Sequence, residues 1–263
     1  MTTSKDSLGD RMKAYEGAYT GYRVPLDQYL IVRLDGNGFS KYTKPFDRPF
    51  DERIWLAMTT TTTALVDYTN AILGYTQSDE ITLVFGKTEK QTEHMFGGKI
   101  SKLNSILASF ASATFNNSID NPLGGKAELA LFDARAFGVP TTGEVANNVL
   151  WRIQDCRRNS ISSLFRWTAG HKKMQGLSST SMIQILQDEY GVIWEDQPEI
   201  FRFGTFVRSD RSLPCGQSYV SAKNYLLSTF EEQEEYVTNQ FIDTKPKEGQ
   251  AEKSPYYPIS GDV

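Results

Sequence analysis

Residues 29–39 read YLIVRLDGNGF, an apolar run that ends in a carboxylate and then a turn holding Gly36 and Gly38. A Leu, Ile and Val run bounded by glycine reads as a buried strand. Asp35, at the mouth of such a strand, must be paired, hydrated or bound to a cation. The two glycines let the backbone approach a ligand closely and aim N–H groups at it. A second acidic turn, Gln77-Ser78-Asp79-Glu80, lies between Leu73-Gly74-Tyr75 and the apolar run Ile81 to Phe85, which is the sequence form of a hairpin with carboxylates at its tip. If the hairpin lies beside the first strand, Asp35 and Asp79 converge. Two carboxylates a few ångströms apart persist mainly where a divalent cation neutralises them.

The flanking periodicities place these turns in a fold. Leu8, Met12, Tyr15 and Tyr19 recur at helical spacing behind Ser7, a good N-cap, so the chain opens with an amphipathic helix. Lys41 to Phe50 carries two prolines and reads as loop. Asp51 caps a helix whose face carries Trp55, Met58, Thr62 and Leu65, despite the β-branched run Thr59 to Thr63. Ile100, Leu103, Leu107 and Phe110 mark a further helix behind Gly97-Gly98, with Lys99 and Lys102 near its start, where cations oppose the helix dipole unless an anion meets them. A strand over Ala127 to Phe132 follows, ending in Asp133-Ala134-Arg135. Strand, helix, strand, strand, helix, strand is the split βαβ pattern: an α+β, ferredoxin-like antiparallel sheet backed by helices.

From Gly143 the character changes. Val145, Val149 and Ile153 start a helix that runs toward Phe165, with Arg152, Arg157, Arg158 and Arg166 on its polar face. Such a charge run is most simply a solvated face. Its interleaving with Trp151, Asn159, Phe165 and Trp167 also offers charge to a nucleic-acid backbone and rings to unpaired bases. A helix over Ser181 to Tyr190 and short strands over Phe203 to Val207 and Gln217 to Val220 follow. The expected division is a catalytic unit over 1–140, a helical extension over 141–230 and a polar tail over 231–263.

The 263 residues, 39% of them hydrophobic, suffice for a core, and no stretch approaches a membrane span or the apolar part of a signal peptide, so a cytoplasmic setting is expected. Cys156 and Cys215 read as free thiols, and His94 and His171 as surface residues without ligand spacing. A net charge of −4 does not advertise a nucleic-acid partner, although it leaves room for a local basic face.

One carboxylate at a strand end and another in a facing hairpin is the layout of two-metal nucleotidyl transfer, with the glycine turn cradling a triphosphate. Taken singly, Asp35 and Asp79 would be turn-formers; together they favour the metal. Arg33-Leu34-Asp35-Gly36 with Phe39, then Tyr75 to Glu80, Phe132 to Arg135, and Trp151-Arg152 with Gln154-Asp155-Cys156 resemble the tRNA-histidine guanylyltransferase family, over about Met12 to Arg208. The resemblance implies a polymerase-like palm that extends RNA in the 3′-to-5′ direction. In such a reaction ATP activates the 5′-monophosphate of a tRNA, and the 3′-hydroxyl of an incoming nucleotide attacks the activated end. It implies two Mg2+ ions, ATP and GTP as substrates, tRNA as partner and a homotetramer built as a dimer of dimers. By position, Asp35 and Asp79 match the metal carboxylates, with the Gly36 carbonyl as a third ligand and Glu80 completing the acidic motif. Asn37, Gly38, Phe39 and Ser78 match the triphosphate cradle, and Arg48 a cationic place before proline. Arg33, Lys99 and Lys102 match positions that hold a second triphosphate or the activated end. Arg135, Arg152, Arg157, Arg158 and Asn159 are the expected RNA contacts.

Where eukaryotic members that act on tRNA-histidine carry His-Ile-Asn-Asn, this chain reads Arg157-Arg158-Asn159-Ser160. That departure is closer to the guanylyltransferase-like branch, which repairs truncated tRNA 5′ ends with base pairing as the template; paired arginines grip phosphate regardless of sequence. Two rival functions share much of this pattern: a nucleotidyl cyclase, which needs no polynucleotide, and an RNA-binding module that has kept the fold without the chemistry.

Overall fold

The computed structural model describes residues 7–88, 93–126, 128–209 and 217–218. Tyr29–Asn37 forms β1, Leu73–Gln77 β2, Glu80–Phe85 β3, Leu131–Val139 β4, Thr205–Ser209 β5 and Gln217–Ser218 β6. They build one sheet in the order β4-β1-β3-β2-β5-β6, with every neighbouring pair antiparallel. Phe39–Tyr42 (α2) and Glu52–Thr69 (α3) lie between β1 and β2, and Ile100–Ser118 (α4) between β3 and β4. The α+β, split βαβ sheet expected from the sequence is therefore present.

β1 is a continuous apolar run because both faces of the sheet are covered. Leu30, Val32 and Leu34 pack with Met58, Leu65, Leu103, Leu107 and Phe115 of α3 and α4. On the opposite face, Leu73, Tyr75, Val84 and Phe206 meet Val145, Val149, Leu150 and Ile153 of α5, the helix Thr142–Ala169. Beyond the sheet, Ile161, Leu164 and Phe165 of α5 pack on Met182 and Leu186 of α6 (Ser179–Tyr190) and on Trp194. Glu199–Phe203 forms α7, which leads into β5.

The threonine run of α3 is reconciled with a helix by internal hydrogen bonding: Thr61, Thr62 and Thr69 donate to the carbonyls of Ala57, Met58 and Leu65 at 2.7–2.8 Å. Asp51 caps this helix by accepting from the Arg53 N–H at 2.9 Å. Burial pushes the Asp51 carboxyl up, but hydrogen bonds from Arg53 and from the Asp47 and Arg53 amides outweigh it and leave the group at about 2.

Three expectations are corrected. The last strand of the palm is Leu131–Val139 rather than 127–132. Asp133 and Arg135 read as charges past a strand end, yet β4 is an edge strand that carries them on its more open face while Phe132 and Ala136 point to the core. His94 is buried, its Nε2 at 3.1 Å from the Pro25 carbonyl. Phe165 is buried in the α5–α6 core and offers no ring to a base, whereas Trp151 and Trp167 are exposed. Cys156 is a buried free thiol, pushed up to about 12 by burial. Cys215 and the polar tail over 231–263 lie outside the described residues, as do residues 219–220 of the expected last strand.

Candidate active site

Register alone assembles the acidic centre. Asp35, near the end of β1, lies directly opposite Glu80 of β3 and Asp133 of β4. The turn between β2 and β3 is tight enough to hold Ser78 at φ 49°, and it brings the Asp79 carbonyl within 3.0 Å of the Gly36 N–H. Asp35 and Asp79 thus meet at one end of the sheet. Burial pushes the Asp79 carboxyl up and the neighbouring charge of Asp35 adds to it, against a 3.0 Å hydrogen bond from the Ser78 hydroxyl. Asp35 itself keeps 41% of its side chain exposed.

Glu80 has a different environment. It is buried under α5, where Arg152, also buried, places Nε 3.0 Å from its Oε1. The N–H does not point at the oxygen, so the contact is an ion pair rather than a hydrogen bond. Burial raises the Glu80 carboxyl, Arg152 and Arg33 pull it back, and the balance leaves it at about 7. Arg152 also bonds Asp155, which in turn holds Arg158 at 2.7 Å.

Cations and rings surround the acids. Arg135 reaches Asp133 at 3.3 Å and Asp35 at 3.9 Å. Arg33, directly across from Arg135, lies over the Trp151 ring. Beside the acids opens a cleft of about 310 Å³, walled by the loop around Arg48 and Phe50, the hairpin tip with Ser78 and Asp79, and Asn159 of α5. Phe50 and Phe201 stack at its wall with centroids 4.8 Å apart. Arg48 lies against Trp167 and donates to the Thr43 carbonyl at 2.6 Å.

The glycine turn is shaped partly by packing. A Cβ at Gly36 would fall 2.3 Å from the Phe39 ring, and that ring is buried against Tyr42, Phe115 and Phe132. Phe39 can therefore serve a ligand only through its backbone. Gly38, at φ 68° with open space around it, and exposed Asn37 keep the turn accessible.

Other expected site residues are not brought to Asp35. Lys99 and Lys102 start α4, which covers the face of β1 opposite Arg33 and Asp35, and Asn104, one turn on, bonds Ala136 rather than the acidic end of β4. Lys99 forms a backbone bridge to Arg23, and Lys102 lies over Phe96. Arg157 turns back over Trp194, whose indole N–H bonds the buried Ser160 hydroxyl, so of residues 157–160 only Arg158 and Asn159 face outward. Asp133 and Asp155 belong to the constellation but stood out in the sequence only as members of quoted motifs.

The arrangement pairs hard oxygen donors with guanidinium groups beside a cleft lined by rings, the chemistry of a site for an anionic, ring-bearing ligand. The family model described as "Thg1: tRNAHis guanylyltransferase" matches residues 9–140. An uncharacterized protein, R259, of Acanthamoeba polyphaga mimivirus is 32% identical over 77% of this chain and 77% of its own length. The tRNA(His) guanylyltransferase of Schizosaccharomyces pombe is 27% identical over 70% of this chain and 74% of its own. Among solved structures, a bacterial tRNA(His) guanylyltransferase (Thg1)-like protein in complex with ATP superposes with a TM-score of 0.77 at 34% identity, covering 88% of this chain and 99% of that one. A complex of a bacterial Thg1-like protein with GTP gives 0.69 at 30% identity over the same shares. By matched length, identity and fold together, this chain belongs to the tRNAHis guanylyltransferase family.

Proposed function

We propose that the protein is a metal-dependent 3′-to-5′ nucleotidyltransferase that adds nucleotides to the 5′ end of tRNA. The observation that carries this reading is the convergence of Asp35 and Asp79 at one end of the sheet, with Asp79 on the cleft wall, where burial and then the neighbouring Asp35 charge raise the proton affinity of Asp79. Among the described residues no three His, Cys, Asp or Glu side chains form a metal cage. Magnesium fits such a site, because it is commonly held by one or two carboxylates together with substrate phosphates. Asp35, Asp79 and the Gly36 carbonyl would hold it. When bound, it would neutralise triphosphate charge and polarise the reacting phosphoryl oxygens. The relatives solved with ATP and with GTP support nucleotides as substrates.

This chain's own residues supply the remaining functions. The open backbone at Asn37 and Gly38, together with Ser78, cradles a triphosphate. Arg48 and the rings around Phe50 border the base. Arg33 and Arg135 hold the phosphate of the second reactant beside Asp35, so that a 5′-phosphate activated by ATP lies within reach of an incoming 3′-hydroxyl. Arg158 and Asn159 face outward for the RNA backbone. Incubation with a 5′-truncated, 5′-phosphorylated tRNA, ATP, labelled GTP and magnesium should yield a product longer at its 5′ end, and EDTA should abolish it. Cyclic nucleotide formed without RNA would instead identify a cyclase.

The protein is further proposed to work as a tetramer in a reducing, cytoplasmic setting, which the free buried Cys156 suits. Support for assembly comes from α1, Leu8–Thr20, which buries none of its residues although Leu8, Met12, Tyr15 and Tyr19 form an apolar stripe. A 13-residue helix is marginal alone in water, so a second subunit is its natural cover. Met12→Glu should leave the fold intact and reduce the mass measured by light scattering; an unchanged mass would exclude α1 from the interface.

A further inference from the structure

Trp151 interrupts a buried stretch of α5. Its neighbours Leu150, Arg152 and Ile153 are buried, whereas Trp151 is 48% exposed. Arg33 sits with its guanidinium carbon 5.6 Å from the ring centroid, and that of Arg152 lies at 4.0 Å. Arg152 is already committed to Glu80 and Asp155. Arg33 is not: its Nε is buried without a hydrogen-bond partner, and among the described residues it forms no ion pair, only the ring contact and a longer-range attraction to Glu80. A buried guanidinium N–H without an acceptor is costly and calls for an anion.

Place follows from the strand. Arg33 and Asp35 project from the same face of β1, roughly 7 Å apart along it, and Arg135 of β4 lies directly across from Arg33. An uncommitted cation, a second exposed cation and a half-exposed indole therefore stand together one pleat from the acid pair. A phosphate answers the first two and a planar base answers the third.

We infer that Trp151 is the stacking platform for the nucleobase of a nucleotide whose phosphate rests on Arg33 and Arg135. This rests on the proposed nucleotidyl transfer and names the residue that receives the ring of the second reactant, apart from the base cleft near Arg48. The shared chemistry is a nucleoside phosphate, supplied either by a free triphosphate or by the 5′ end of RNA. Base stacking on an exposed aromatic tolerates any base, which suits an enzyme whose sequence choice comes from pairing.

The test measures the affinity of the full chain, with magnesium, for three probes: inorganic tripolyphosphate, GTP and a 5′-phosphorylated RNA hairpin with an unpaired end. Trp151→Ala should weaken GTP, the hairpin or both by roughly five- to hundredfold and leave tripolyphosphate within about twofold, while Trp151→Phe restores most of the loss. A loss confined to GTP assigns the free nucleotide, and one confined to the hairpin assigns the RNA end. The inference is overturned if all three affinities stay within about twofold, if tripolyphosphate weakens as much as the base-bearing probes, which would make the ring a prop for Arg33, or if phenylalanine does not rescue. Wild-type protein that extends RNA while Trp151→Ala binds normally removes this inference alone. Wild-type protein that binds none of the probes removes the proposed function with it.

Discussion

Asp79→Asn should lower 5′ extension by on the order of a thousandfold and at the same time leave the metal-free protein as stable as the wild type, or more so. The two effects share one cause. Burial and the adjacent Asp35 both disfavour the ionised Asp79 carboxylate, so its proton affinity in the folded chain exceeds that in the unfolded chain. A group with a raised folded pKa favours the fold below its unfolded pKa, and that contribution is lost as pH rises through the folded value. At neutral pH the metal-free wild type therefore carries an electrostatic cost that a neutral amide of the same shape removes. Relief of that cost should raise Tm. The difference should shrink below the usual carboxylate range, where wild-type Asp79 is protonated too. Magnesium with nucleotide should reverse the order, stabilising the wild type and leaving the variant unmoved. Thermal scans at two pH values, with and without magnesium and nucleotide, separate these outcomes. A variant that is less stable than wild type in every condition would show that the Asp79 carboxylate is a structural acceptor rather than a held-open ligand.

The acid pair was legible in the sequence because strand register is local. Tyr29 to Asn37 and Leu73 to Phe85 carry their own turn chemistry, and once the hairpin pairs with β1, Asp35 must face Glu80. The cations were less legible, because charge says nothing about sheet face. Lys99 and Lys102 have the right composition for phosphate, yet the apolar stripe Leu103, Leu107, Ala111 and Phe115 fixes α4 on the face away from Asp35. β4 was misplaced because Asp133 and Arg135 look like a strand's end; the alternation Phe132, Ala134, Ala136 shows itself only against the partner residues Gly36, Leu34 and Val32. The basic run of α5 proved to be two populations. Arg152 and Arg157 turn inward to Glu80 and Trp194, and Arg158 turns outward, a division set by which part of the helix lies on the sheet and which on α6. The cleft could not be read at all, since it joins residues from the β1–α3 loop, the hairpin and α5 that share no local pattern.

Arg152→Met should destabilise the protein by roughly 3–5 kcal/mol, although methionine packs well at a buried helical position, because the loss falls on the partner left behind. Glu80 is buried beneath α5 and its carboxyl stands at about 7 even with Arg152 beside it. Removing the arginine takes away the largest influence pulling that value down. Glu80 must then fold as the neutral acid, and each pH unit above its ordinary range adds to the cost of keeping it so. The variant's deficit should therefore widen as pH rises above about 7, where wild-type Glu80 ionises beside Arg152, and narrow below it, where Glu80 is protonated in both folded proteins. Glu80→Gln in the Arg152→Met background should recover much of the lost stability and flatten the pH dependence, since an amide needs no counter-charge. Chemical denaturation of the four proteins of this cycle gives the coupling directly. Simple loss of arginine packing would instead give a deficit independent of pH and untouched by Glu80→Gln. Because Glu80 directly follows Asp79 and faces Asp35, the same cycle bears on catalysis. If the double variant is as stable as wild type yet slow in 5′ extension, the Glu80–Arg152 pair positions the acidic turn; if it is both stable and active, the pair is a structural strut between sheet and α5.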